Sequence, residues 1–156
     1  MATLRELLAG RDLGTVSTVI ASGNVVFDGA SGDGGAIEAR VEAALGEGLG
    51  YPVTTFVRSI GEVVALAEQP MFRPEAGVRV HVGFVRHPLG PEAGRALAAL
   101  AVEGDVVEPR GRELWWRRDG MTSDSPLSTA ALYKVLGQEA TFRTLGTLER
   151  IARKYA

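Results

Sequence analysis

The fold class of this chain is decided by the segment Thr15-Val16-Ser17-Thr18-Val19-Ile20-Ala21-Ser22-Gly23-Asn24-Val25-Val26-Phe27-Asp28. β-Branched residues dominate its first part, Ser22-Gly23 supplies a turn, and Val25-Val26-Phe27 returns as a second apolar run. Two short runs of this kind on either side of a glycine turn predict an antiparallel hairpin. Hairpins between helices favour an α+β fold over a doubly wound parallel sheet.

Periodicity and capping signals predict the other elements. Helices are expected at about 3–10, 34–48, 60–67, 91–101 and 129–136, and in the segment that contains Leu148, Ile151, Ala152 and Tyr155. Further strands are expected at 53–58, 78–85, 105–108 and 113–118. We interpret this order as one β-α-β-β-α-β unit used twice, each copy incomplete and the first without its leading strand. The predicted subdomains are 1–75 and 76–156, joined as one compact body.

Composition excludes several classes of function. The 156 residues include no cysteine, which rules out disulfides, thiolate zinc sites, iron–sulfur clusters and cysteine nucleophiles. The formal net charge of −2 disfavours nucleic-acid binding, which typically needs a strongly basic surface. No apolar run approaches the roughly 20 residues that span a bilayer, and the N-terminus has no secretory pattern. We therefore expect a cytoplasmic protein that does not enter a membrane.

The motif Ser22-Gly23-Asn24, followed by an apolar strand that ends at Phe27, resembles the signature of the bacterial domain of unknown function 1697 family. Members typically carry Ile-Gln-Ser-Gly-Asn there, and Ala21 replaces the glutamine in this chain. The segment Gln69-Pro70-Met71-Phe72 and the helix at 129–136 also fit. The resemblance implies two ferredoxin-like subdomains, and it implies no established activity.

The chain departs from the family pattern in three places. Family members begin with a strand and a glycine-containing loop, whereas this chain begins at the helix that follows them. Pro126 follows Ser125 where members often have lysine, and only Arg143 and Thr147 remain of an Arg-Asn-Trp-Asn-Thr run. Because the first strand of a ferredoxin-like sheet is central, its absence predicts a rearranged sheet or strand pairing across a homodimer. An incorrectly assigned start codon is a third explanation.

Two hydroxyl-rich segments are candidate ligand contacts. The Ser22-Gly23-Asn24 turn presents a hydroxyl, an amide and backbone N–H groups, although ordinary turn chemistry accounts for the same residues. Ser123 and Ser125 precede a predicted helix and are candidates to hold an anion together with Arg143 or Lys134. The alternative for these serines is helix capping.

An arginine-rich aromatic hairpin supplies the other candidates, Trp115 and Arg117, because indole stacking beside a guanidinium can hold a nucleotide-like ligand. Trp115 and Trp116 are adjacent, so they point to opposite faces of a strand and at most one can be an exposed platform. Cation–π packing at the surface is the alternative. The glycine-rich segment 29–35 lacks the lysine and the spacing of a phosphate-binding loop, which favours a linker.

The two histidines, His81 and His87, lack any spacing typical of a metal site, and no Gly-x-Ser-x-Gly motif is present. We therefore expect no metal and no cofactor. Our first hypothesis is a protein that binds a small molecule or anion at a polar site between the subdomains. The alternatives are a metal-independent enzyme that uses acid–base chemistry in a tailoring or rearrangement step, with His81 or a carboxylate as base, and a dimeric interaction module.

Overall fold

The structure, a computed structural model, describes residues 2–20, 23–30, 32–100, 103–120, 125 and 127–156. Their mixture of helices and antiparallel strands confirms the α+β class. The chain forms two compact units, Met1–Ser59 and Ile60–Ala156, whereas the sequence placed the division between residues 75 and 76. The helix Ile60–Glu68 belongs to the second unit because it packs against the C-terminal helix Leu145–Tyr155. In the part of the chain that is described, no helix has the length and apolarity needed to cross a bilayer.

The first unit combines a hairpin with two helices: α1 (Ala2–Leu8), β1 (Val16–Val19), β2 (Asn24–Phe27) and α2 (Gly34–Leu49). The strands pair in antiparallel register from Val16 opposite Phe27 to Val19 opposite Asn24, as the sequence predicts. Asp33 caps α2 by accepting the Ala36 backbone N–H at 2.8 Å. The buried core between the hairpin and the helices consists of Leu8, Leu13, Val41, Ala44 and Leu45.

The prediction of a strand at 53–58 is wrong, because the described part of the first unit contains only the two-stranded sheet. Side chains of α2 bind the backbone of this segment instead. The Glu42 carboxylate accepts the Thr55 N–H at 2.8 Å, and the Glu38 carboxylate accepts the Val57 N–H at 2.9 Å. These two N–H groups therefore have hydrogen-bond acceptors even though no described strand pairs with the segment.

The second unit contains a four-stranded antiparallel sheet with the order β4-β5-β3-β6. Its elements are α3 (Ile60–Glu68), β3 (Val78–Phe84), α4 (Pro91–Leu100), β4 (Asp105–Arg110), β5 (Glu113–Asp119), α5 (Thr129–Leu136), β6 (Thr141–Thr144) and α6 (Leu145–Tyr155). Strand β6 corrects the sequence analysis, which passed directly from α5 to α6. It is four residues long, and it reaches the sheet where β3 carries Gly83. A side chain at Gly83 would meet the Phe142 ring at 2.5 Å, so glycine permits this approach.

The two faces of this sheet carry different residues. Val82, Trp115 and Arg143 are register partners on one face, where α6, with α3 packed beside it, contacts β3. His81 and Trp116 are partners on the opposite face, which packs into a core of Leu97, Val107, Leu114, Trp116 and Leu132. The adjacent tryptophans thus point to opposite faces, as expected for neighbours in a strand. Both are buried, so neither offers an exposed platform.

Candidate functional site

A buried carboxylate organises a polar network at the start of β4. Asp105 is only 5% exposed, and three side chains donate hydrogen bonds to it. The Trp116 Nε1–H donates to Oδ1 at 2.7 Å, and Arg118 Nη1 and Ser125 Oγ donate to Oδ2 at 3.0 and 2.8 Å. We call these four residues the Asp105 centre. Each donor offsets part of the cost of burying the carboxylate.

Strand pairing explains why these residues meet. Asp105 lies directly opposite Arg118 in the β4–β5 register, and Val107 lies opposite Trp116. Because side chains alternate along a strand, Trp116 and Arg118 project from the same face as Asp105. The hairpin turns at Gly111, whose φ of 65° lies in the left-handed region that favours glycine. The β4–β5 hairpin therefore places one acid and two donors together, and Ser125 reaches the same carboxylate from beyond β5.

The Asp105 carboxylate is buried beneath the side chains that donate to it. The Asp105 side chain has 0% exposure, whereas the Arg118 side chain keeps 12%. Arg118 Nη1 donates to Asp105 and, at 3.4 Å, to the Glu103 carbonyl. Its Nε is buried without a hydrogen-bond partner, and Nη2 finds no acceptor among the described residues. The guanidinium therefore retains donors that no described group uses.

His81 lies beside the centre on the same face of the sheet. It pairs with Trp116 in the β3–β5 register, and the two ring centroids are 5.6 Å apart. Its Nδ1 is buried and has no hydrogen-bond partner among the described residues. Burial lowers the pKa of His81 below its usual 6.5, and the positive charge of Arg79 lowers it further. The imidazole is therefore neutral at neutral pH.

Ser125, Asp105 and His81 do not form a hydrolytic triad. In a triad the carboxylate orients the histidine and the histidine activates the serine. Here the Ser125 hydroxyl donates directly to Asp105, and its oxygen accepts the Leu127 backbone N–H at 3.1 Å. The described hydrogen bonds of the centre do not include His81. Ser125 is therefore placed to cover the carboxylate and to hold the chain that leads into α5.

Arg143 is not brought to this centre, although the sequence grouped it with Ser125. It lies opposite Val82 in β6, on the other face of the sheet. Its Nη1 donates to Thr141 Oγ1 at 3.0 Å and to the Phe142 carbonyl at 2.9 Å. Burial lowers the pKa of Arg143. Its described bonds connect it to its own strand.

Trp115 and Arg117 also lie on the face away from the centre. Trp115 is 0% exposed, and the Arg110 guanidinium lies 5.0 Å from its ring centroid. The contact has the geometry of cation–π packing, which leaves no open indole face for a stacked ligand in this conformation. Arg117 forms ion pairs with Asp119 at 2.9 Å and with Glu75 at 3.8 Å.

The remaining candidates lie in the first unit or outside the described residues. Gly23 has a φ of 80°, and Asn24 Nδ2 donates to the Val19 carbonyl at 3.2 Å across the hairpin. Both observations agree with turn chemistry. Ser22 and Ser123 lie outside the residues that the structure describes. A polar site between the subdomains stays a prediction.

Sequence reasoning missed Asp105 and chose Trp115 and Arg117 from the arginine-rich hairpin in place of their neighbours Trp116 and Arg118. A signal was present, because Asp105 occupies the same phase of β4 as the buried Val107. An acid on the apolar phase of a strand indicates a buried carboxylate that requires donors. The partners could not be named without the register of the hairpin.

The described residues form neither a metal-binding cluster nor a groove with a buried polar group. Within the described ranges, no cluster of three or more His, Asp or Glu side chains is arranged to hold a metal ion. An open groove of about 400 Å³ in the first unit is lined by Arg5, Glu6, Ala9, Gly10, Gly14 and Val16. Arg5 and Glu6 are both exposed, so the groove holds no desolvated polar group that would orient a ligand.

Comparison with known proteins gives one match. A family model described as "Protein of unknown function (DUF1697)" matches residues 1–115. No curated protein and no solved structure matches the chain significantly. The matched region includes Asp105 and His81 but ends before Trp116, Arg118 and Ser125.

Proposed function

The chain belongs to this family of proteins of unknown function, and we propose that its second unit binds a small anionic ligand at the Asp105 centre. One observation carries the proposal: the acceptor of the centre is completely buried, while Arg118 is 12% exposed and keeps an Nε–H that has no hydrogen-bond partner among the described residues. A guanidinium with an unpaired donor beside a hidden acceptor is complementary to an oxyanion such as a carboxylate, sulfate or phosphate group.

Asp105 would orient the guanidinium in such a site. A carboxylate bonded to Nη1 fixes the plane of Arg118 and leaves the side of the fork that contains Nε and Nη2 for a ligand. Repulsion between Asp105 and the anion is reduced because three donors surround the carboxylate. The exposed Arg79, directly opposite Arg118 in β3, adds positive charge to the same face.

The arrangement of the second unit supports a ferredoxin-like fold as part of this proposal. The segment from β3 to β6 runs β-α-β-β-α-β, and its sheet order is β4-β5-β3-β6. Its first strand, β3, is then a central one, which places His81 and Arg79 in the middle of the sheet beside the centre. The proposal differs from the sequence hypothesis in one respect: the anion site lies within the second unit and not between the subdomains.

Isothermal titration with sulfate tests the proposed site. We compare the wild type with Arg118→Lys, which keeps a positive charge beside Asp105 but loses the planar fork. Sulfate affinity should fall on the order of tenfold in this variant, because lysine cannot donate in the bidentate manner of arginine.

Arg150→Gln is the matched control, since Arg150 is exposed on α6, on the other side of the sheet. It should bind sulfate as the wild type does. Equal affinity of the wild type and Arg118→Lys, or an absence of sulfate binding by the wild type, would contradict the proposal. Circular dichroism of both variants verifies that each is folded.

A further inference from the structure

We propose that His81 is a second, protonation-dependent contact of the same anion, so that the Asp105 centre binds more tightly as pH falls. The inference rests on the proposed function, and it assigns to His81 a binding role in place of the catalytic base that the sequence suggested. Its basis is the position of His81 in the sheet.

The strand register brings His81 close to the donors of Arg118. His81 pairs with Trp116, and Arg118 follows Trp116 by two residues on the same face of β5. Diagonal neighbours of this kind have Cβ atoms within roughly 7–8 Å, which long side chains bridge. An oxyanion held by Arg118 would therefore lie within reach of the imidazole.

His81 has an unused hydrogen-bonding group in this position. Nδ1 is buried and has no hydrogen-bond partner in the part of the chain that the structure describes, and the Trp116 ring packs at a 39° interplanar angle. A protonated imidazole donates from both nitrogens, so it would gain from an acceptor placed beside it. The same indole ring donates to Asp105, which connects His81 to the centre through a single side chain.

The charged groups around His81 are mostly cationic. On the same face Arg79 lies on β3, Arg118 on β5 and Asp105 on β4, while the residue opposite His81 in β6 is the uncharged Thr144. The helices α4 and α5 contribute apolar Leu97 and Leu132 to the core of this face. Their charged residues, Glu92, Arg95 and Lys134, are exposed.

The direction of the pH effect follows from these charges. Burial and Arg79 lower the pKa of His81, so the unliganded site holds a neutral imidazole at neutral pH. A bound anion stabilises the imidazolium, which raises the pKa of His81 in the complex. By linkage, anion affinity increases as pH falls from the pKa of His81 in the complex to the pKa of His81 in the unliganded protein.

Sulfate is a suitable probe because its charge does not change between about pH 5 and about pH 8, where histidine titrates. We would measure its dissociation constant across that range for the wild type, His81→Gln and the control His87→Gln. Wild-type affinity should rise on the order of five- to tenfold toward the acidic end, as expected for one unit charge several ångströms from the anion. The sulfate affinity of His81→Gln should not change with pH. The affinity of His87→Gln should change with pH as in the wild type, because His87 is exposed and outside the centre.

The outcomes separate this inference from the function on which it rests. If sulfate affinity depends on pH equally in His81→Gln and in the wild type, or does not depend on pH in either protein, the proposed role of His81 is wrong. The anion site itself would remain. Absence of sulfate binding at every pH would overturn both. An NMR titration gives an independent readout, because saturating sulfate should raise the pKa of His81 and leave that of His87 unchanged.

Discussion

Each unit buries one carboxylate among its described residues, and the two are used differently. In the first unit Glu38, 7% exposed, accepts a backbone N–H from Val57. In the second unit Asp105, 5% exposed, accepts from the side chains of Trp116, Arg118 and Ser125. One acid stabilises a stretch of backbone, and the other organises a group of side chains.

The reason for this difference lies in the surrounding backbone. The segment that contains Val57 has no neighbouring strand among the described residues, so its N–H groups need side-chain acceptors. Asp105 lies on a strand paired with β5, and the ladder satisfies backbone groups there. A buried acid in a regular sheet is thus available for side-chain donors.

Removal of the Asp105 carboxylate should produce the largest effect. Asp105→Ala leaves the largely buried Arg118 without its counter-charge and removes the acceptor of the Trp116 indole. The free energy of unfolding should fall by about 3–5 kcal/mol, as for other broken buried pairs. Urea denaturation measures this change.

Asp119→Ala is the control for this experiment. Asp119 ends the same hairpin, and its ion pair with Arg117 is 2.9 Å long, but its side chain is 60% exposed. An exposed pair contributes at most about 1 kcal/mol. Equal losses in the two variants would show that burial does not distinguish Asp105.

The adjacent tryptophans allow a matched comparison within the second unit. Trp116→Phe removes a hydrogen bond to a buried carboxylate, whereas Trp115→Phe removes an indole N–H that has no partner. Both variants lose similar volume from buried sites. Trp116→Phe should therefore be less stable than Trp115→Phe by about 1.5–3 kcal/mol, the usual value of a hydrogen bond to a charged group. Thermal unfolding of both proteins tests the order, and a reversed order would exclude the proposed role of Asp105 as acceptor.

The smallest effect is expected in the first unit. Glu38→Ala removes the acceptor of one partly buried amide, which should lower stability by about 1–3 kcal/mol. Hydrogen exchange should accelerate at Val57, while the amides of the β1–β2 hairpin change less. Glu47→Ala should change stability by only about 0.5 kcal/mol, because the ion pair of Glu47 with Arg11 is exposed. Unchanged exchange at Val57 in Glu38→Ala would contradict the backbone role.

Local signals predicted most of the secondary structure. Ser128 caps α5 by accepting the Ala131 N–H, and Gly137 ends that helix in the left-handed region, both as the sequence indicates. The errors at 53–58 and β6 have a common cause. A strand is defined by its neighbour, and a short run rich in apolar or β-branched residues does not reveal whether a partner strand is present.

The candidate site was less accessible to sequence reasoning than the fold. Ser125 was named, but its partners were expected to be Ser123 and Arg143, and Arg143 lies on the opposite face of the sheet. The register of β4 with β5 brings Asp105 to Arg118, and this register depends on long-range pairing. Residue spacing along the chain does not contain that information.

The sequence by itself determined the α+β class, the approximate positions of the helices, the first hairpin and the exclusion of cysteine chemistry, because these depend on composition and on periodicities of a few residues. The tertiary structure decided the order of strands in the second sheet, the failure of segment 53–58 to join a sheet, and the convergence of three donors on Asp105. These features arise from contacts between residues distant in sequence, where pairing, burial and the need to satisfy each polar group act together.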